Sequence, residues 1–132
     1  MNLDEKIISA LKDLDYKEAT EIQKKAIPIA LKRRDILAAA QSGTGKTAAF
    51  LLPILAELLE TKQTKTILRT LILVPTRELA SQISKAVEDF SKYMDISSLA
   101  MVGGVSTKDQ EKKIAKGIDI LVATSGRLME HI

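Results

Sequence analysis

The residues best suited to chemistry form one run, Ala40-Gln41-Ser42-Gly43-Thr44-Gly45-Lys46-Thr47. Gly43 and Gly45 let the backbone curl so that successive N–H groups point inward, the arrangement that cradles phosphate oxygens. Lys46 is placed to reach the β- and γ-phosphates of a nucleotide, and the Thr47 hydroxyl to coordinate Mg²⁺. A helix opening at this point adds a favourable potential for an anion. Ala40 stands where the strict pattern has glycine. The plainer alternative is a glycine-rich strand-to-helix turn that binds nothing.

Three further clusters follow apolar runs. Pro75-Thr76-Arg77-Glu78-Leu79-Ala80 comes after the first, Gly103-Gly104 after the next and Thr124-Ser125-Gly126-Arg127 after the last. In an open α/β sheet, ligands bind beyond the carboxyl ends of the strands. Thr with Arg in the first turn of a helix suits a phosphate, and paired glycines allow close backbone approach. Taken singly, each reads as a helix cap, a solvated charge or a turn. Together they point to a polyanion read through its backbone. Upstream, Gln23 carries the donor and acceptor that could pair with adenine, but Thr20-Glu21-Ile22-Gln23 equally fits a capping box. Tyr16 reads as well as a half-buried ring packing on the Leu14 turn.

Alternating elements must position these groups. Leu3, Ile7, Ile8, Leu11 and Leu14 have helical spacing behind an Asn2/Glu5 capping pair, and a second helix starts at Thr20 with Ile22, Ala26, Ile27 and Ala30 on its apolar face. Pro28 predicts a kink or restart there. Strands are expected at Ile36–Ala40, Ile67–Val74, Ile96–Val102 and Ile118–Ala123, with helices at Lys46–Leu59, Arg77–Phe90 and Thr107–Lys116, and a last helix from Arg127. Nearly continuous apolar strands joined by helices predict an α/β protein with a doubly wound parallel sheet.

Composition narrows the class. The 132 residues, 45% hydrophobic and 28% charged, suit one domain. No apolar run approaches ~18 residues and no signal-peptide pattern opens the chain, so no membrane partner is expected. Zero cysteines remove disulfides and thiolate metal sites and fit the cytoplasm, and the single His131 is too little for a zinc site or a confident triad. Net charge is +3, from 20 basic and 17 acidic residues. The four aromatics Tyr16, Phe50, Phe90 and Tyr93 are scattered, which argues against gripping nucleic acid by base stacking. A nucleotide hydrolase also needs a carboxylate at a strand end. Val74 leads to Pro75, Val102 to Gly103 and Ala123 to Thr124, while Asp119 lies at the start of its strand rather than its end.

The order AAQSGTGKT, PTRELA, GG and TSGR resembles the first RecA-like domain of DEAD-box ATP-dependent RNA helicases, and Asp15–Gln23 is similar to their adenine-reading Q motif. The resemblance implies a RecA-like phosphate-loop NTPase fold, a parallel sheet flanked by helices, over residues 1–132, with residues 1–34 as the Q-motif helical region. It implies ATP and Mg²⁺ as cofactors. Tyr16 would stack on adenine, Gln23 would hydrogen-bond it, and Ala40, Gln41, Ser42, Gly43, Thr44, Gly45, Lys46 and Thr47 would hold the phosphates. Lys46 would be catalytic and Thr47 the metal ligand. RNA would be held without sequence preference by Pro75, Thr76, Arg77, Gly103, Gly104, Thr124, Gly126 and Arg127.

Asp15, Ala19 and Ser125 depart from the family pattern, which has glycine, proline and proline there. The chain ends before the Asp-Glu-Ala-Asp motif, so it reads as truncated, without the strands after TSGR. The expectation is therefore a part of a helicase that does not itself unwind RNA and hydrolyses ATP negligibly, with open sheet edges as a route to self-association. The alternatives are a non-catalytic RNA- or partner-binding module, a different phosphate-loop enzyme such as a small-molecule kinase, and a product of expression or proteolysis without its own function.

Overall fold

The computed structural model describes residues 3–41, 45–61, 68–102 and 107–129. The chain divides into two compact units, Met1–Lys62 with Asp89–Met94, and Gln63–Glu88 with Asp95–Ile132.

The first unit is helical. Helix α1 (Glu5–Asp13) is capped by Asp4, whose carboxylate accepts from the Lys6 N–H at 2.9 Å. The cap thus lies beyond the expected Asn2, which is outside the described residues. Helix α2 (Glu21–Leu31) opens on Thr20 with a complete capping box and runs through Pro28 as one helix, with no restart. Pro28 is exposed, so water can satisfy the carbonyl that its missing N–H leaves behind. Helix α3 (Lys46–Glu60) packs against α2 and α1. Ile7, Ile27, Leu51 and Leu55 are fully buried at its centre, each stabilising the unit by about 1.5–3 kcal/mol.

The end of α1 also meets the segment after α4. Asp13 accepts a hydrogen bond from Lys92 Nζ at 2.8 Å and a second from the Tyr93 hydroxyl. The Lys92 bond, then the Tyr93 bond, holds the Asp13 carboxyl below the ordinary aspartate value. The same carboxylate, through its hydrogen bonds, pushes Lys92 and Tyr93 up.

The second unit is built on a three-stranded parallel sheet, β1 (Thr70–Val74), β2 (Ser98–Met101) and β3 (Ile120–Thr124), in the order β1-β3-β2. Central β3 is buried on both faces, with Ile120, Leu121, Val122 and Ala123 at 3% exposure or less. This is why its apolar run is continuous. Edge strand β1 alternates instead, Ile72 and Val74 buried, Leu71 and Leu73 exposed. Helix α4 (Arg77–Phe90) buries Ala80, Ile83, Val87 and Phe90 at helical spacing. Helix α5 (Thr107–Lys116) places Ile114 on the cluster of Leu99, Met101, Ile118, Leu121 and Ala123. Helix α6 (Ser125–Met129) begins directly after β3, ahead of the expected start at Arg127.

At the amino edge of the sheet, Asp119 ties all three strands together. Its backbone carbonyl accepts from the Arg69 and Thr70 N–H groups, and its carboxylate accepts from Arg69 Nη2 at 3.2 Å and the Ser97 N–H at 3.1 Å. The strand expected at Ile36–Ala40 does not form. Residues 34–39 are exposed, Leu37 completely, and no strand of the described residues pairs with them. An apolar run becomes a strand only where a neighbour completes its backbone ladder. Among the described residues no helix is long and apolar enough to cross a membrane.

Candidate functional site

In the helical unit the candidate residues gather at the start of α3. Gly45 is its N-cap residue, in the left-handed region at φ 85°, and contributes no side-chain cap. The N-cap residue thus supplies no side-chain acceptor to the first N–H groups of α3, which suits an anion at this terminus. Lys46 and Thr47 occupy the first two helical positions, Lys46 exposed and Thr47 half-buried. Ala40 is half-buried and Gln41 exposed, while Ser42, Gly43 and Thr44 lie outside the described residues.

Gln23 joins α2 to this loop. Its Oε1 accepts from the Thr20 N–H at 3.0 Å, completing the capping box, and its Nε2 donates to the Gly45 carbonyl at 3.2 Å. The Gln23 side chain is 4% exposed. The capping alternative for Gln23 is thus realised, and the same amide also fixes the backbone from which Lys46 departs. A Cβ at Gly45 would collide with Gln23 Nε2 and stand 2.9 Å from Thr20 Oγ1, so Gly45 serves both the left-handed turn and the close approach. Tyr16 is 46% exposed and meets Phe90 edge to face, ring centroids 5.7 Å apart. Its ring thus packs on Phe90, which comes from a distant part of the sequence.

In the sheet unit the candidates gather at the carboxyl edge. The register Val74↔Thr124 and Met101↔Ala123 brings the ends of β1, β3 and β2 level. Exposed Pro75 ends β1. Thr76 caps α4, its Oγ1 accepting from the Leu79 N–H at 3.2 Å and its carbonyl from the Ala80 N–H at 3.0 Å. Arg77 is exposed in the first turn. On the adjacent strand, Thr124 is half-buried at the end of β3, followed by Gly126, beside which a Cβ would meet only open space, and half-buried Arg127. Gly103 and Gly104, which follow β2, lie outside the described residues.

One residue here escaped the sequence reading. Gln110 of α5 is 1% exposed; its Nε2 donates to the Val102 carbonyl at 3.1 Å and its Oε1 accepts from Arg127 Nε at 3.1 Å. The signal was its place four residues before Ile114, on the face that packs against the sheet, where an apolar residue is the usual choice.

Comparison with known proteins identifies the lineage. The model of the DEAD/DEAH box helicase family matches residues 20–132. The chain belongs to that family. As a DEAD/DEAH box protein it is 45% identical over 132 residues to a probable ATP-dependent RNA helicase, ddx27, of Dictyostelium discoideum, covering all of this chain and 17% of that protein. It is 44% identical over 130 residues to the probable ATP-dependent RNA helicase ddx6 of the same organism, covering 98% of this chain and 30% of that one. Among solved structures, a hypothetical ATP-dependent RNA helicase from Sulfolobus tokodaii superposes with a TM-score of 0.84 at 37% identity, over 97% of this chain and 36% of that chain. The parallel sheet flanked by helices is thus the RecA-like fold of the DEAD/DEAH box family. The chain spans less than a third of the length of these two relatives.

Proposed function

We propose that this chain is the ATP-binding, RNA-backbone-contacting part of a DEAD-box RNA helicase, whose parent couples ATP binding and hydrolysis to RNA unwinding or remodelling. The observation that carries the reading is the Gln23–Gly45 bond, which joins an adenine-suited amide to a phosphate-suited loop. An amide offers one acceptor and two donors, so Gln23 retains hydrogen-bonding capacity after capping Thr20 and holding Gly45. Tyr16 supplies a ring for the base. Ala40 to Thr47 hold the phosphates, Lys46 giving a positive charge at their far end and the α3 N-terminus, whose N-cap Gly45 has no side chain to cap with, adding N–H donors. The Thr47 hydroxyl is the type of oxygen ligand Mg²⁺ takes, and bound Mg²⁺ would neutralise phosphate charge.

RNA binding falls to the carboxyl edge of the sheet. Pro75, Thr76, Arg77, Gly103, Gly104, Thr124, Gly126 and Arg127 are suited to sugar and phosphate, and none of them offers a base-stacking ring. Binding is therefore independent of sequence and falls with salt. The ends of β1, β2 and β3 carry no carboxylate to position an attacking water, which supports negligible ATP hydrolysis by these residues alone. That same observation favours the second reading, a non-catalytic module that binds RNA.

The test measures nucleotide binding and phosphate release with RNA present. ATP binding is expected to be lost in Lys46→Ala, with phosphate release at background in both proteins. Turnover that Lys46→Ala removes would overturn the prediction of inactivity. RNA binding that is weakened by Arg77→Ala and Arg127→Ala, without any ATP binding, would favour the binding module.

A further inference from the structure

Helix α5 is polar and exposed along most of its described length, and Gln110 is its one fully buried side chain among the described residues. If that position only filled space, Leu or Met would fill it without the cost of desolvating an amide. An amide does what neither can, since one planar group presents a donor and an acceptor at fixed spacing. Both are used. Nε2 holds the carbonyl of Val102, the residue before Gly103, and Oε1 takes the Nε–H of Arg127. Arginine is defined by a planar guanidinium whose hydrogen bonds are directional, so an anchor at Nε fixes the plane and heading of the group. The carboxyl ends of β2 and β3 are thereby joined through one buried side chain that itself has no reason to touch RNA.

We propose that Gln110 is a positioning residue for the RNA grip, setting the Arg127 guanidinium and the Val102 strand end in one frame. The inference rests on the RNA-backbone reading above. A fixed guanidinium meets a phosphate without losing rotamer freedom at that moment, so Gln110 raises affinity through preorganisation rather than contact. Its loss should therefore mimic the loss of Arg127 itself.

The test uses the full chain and a labelled single-stranded RNA oligonucleotide, titrated over a range of salt. Gln110→Met, close in volume and without the amide, is expected to weaken binding roughly three- to tenfold, the worth of one lost hydrogen bond. Its salt dependence should fall by about one counterion, as for Arg127→Ala. The double variant should bind no more weakly than Arg127→Ala, because the two residues act as one. A spectroscopic signature separates positioning from general stability: the Arg127 Nε–H resonance exchanges slowly with water in the unaltered chain and rapidly in Gln110→Met. Should Gln110→Met not fold, Arg127→Lys serves in its place. It keeps the charge but cannot make the Nε bond, and it is expected to bind RNA as weakly as Arg127→Ala. Weakening by Arg127→Ala with unchanged binding in Gln110→Met, or full binding by Arg127→Lys, would overturn the inference and leave the RNA reading intact. Binding indifferent to Arg127→Ala overturns that reading, and the inference with it.

Discussion

Two left-handed residues show how far a single position can be read. Gly45 at φ 85° has no room for a Cβ, and glycine is what the phosphate-loop pattern requires there. Gly45→Ala is expected to cost about 1–2 kcal/mol from backbone strain alone, with further loss from displacing Gln23. Chemical denaturation reads the cost, and ATP binding should fall with it. Asp15, by contrast, adopts φ 61° just beyond α1, at the position where the family pattern has glycine. Asp tolerates the left-handed region better than most side chains, which is how the departure is accommodated. Asp15→Gly should raise stability by about 0.5–1 kcal/mol, seen as a higher Tm. Unchanged or lowered Tm would show that the Asp15 side chain compensates its own strain. The double use of the Gln23 amide was half legible. The capping box is local in sequence, whereas the bond to Gly45 spans 22 residues and depends on how α2 and α3 pack.

At the scale of elements, α4 and α5 form over the residues their periodicity predicts, because caps and apolar faces are local properties. Thr76 and Thr20 are found capping where their types suggest. The run Ile36–Ala40 fails as a strand for the opposite reason, since a strand needs a partner that its own residues cannot supply. The tie between α1 and the segment after α4 is equally non-local, and it gives a pH dependence. Asp13 has a depressed pKa in the folded state, so its contribution is present above the ordinary aspartate value and is lost as pH falls through the folded one. Lys92 and Tyr93 are raised, so theirs is present below their ordinary values and lost as pH rises through the raised ones. The Tm gap between the unaltered chain and Asp13→Asn should therefore be flat from about pH 5 to about pH 9 and shrink at both extremes. Salt should narrow it throughout, because the groups are exposed. A gap that is constant from pH 2 to pH 11 would show that the cluster contributes nothing through charge.

For the molecule as a whole, the sheet of the described residues ends in β1 and β2, and β1 shows Leu71 and Leu73 at 46% and 55% exposure. An edge strand with apolar side chains is a template for another chain. Sedimentation velocity is expected to show self-association that grows with concentration and is reduced by Leu73→Lys. A monomer at every concentration would remove that expectation. The chemistry on offer follows from residue types alone, because Gly, Lys, Thr and Arg in PTRELA, TSGR and the glycine-rich run carry their hydrogen-bonding capacity wherever they are placed. The bounds of α4 and α5 followed from the sequence too, since helical bonds and periodicity close within a few residues. The central place of β3, the level strand ends and the hold of buried Gln110 on Arg127 came instead from the packed fold. Those depend on pairing and burial between residues far apart in the chain, and a buried amide acquires its meaning only from the two partners the fold brings to it.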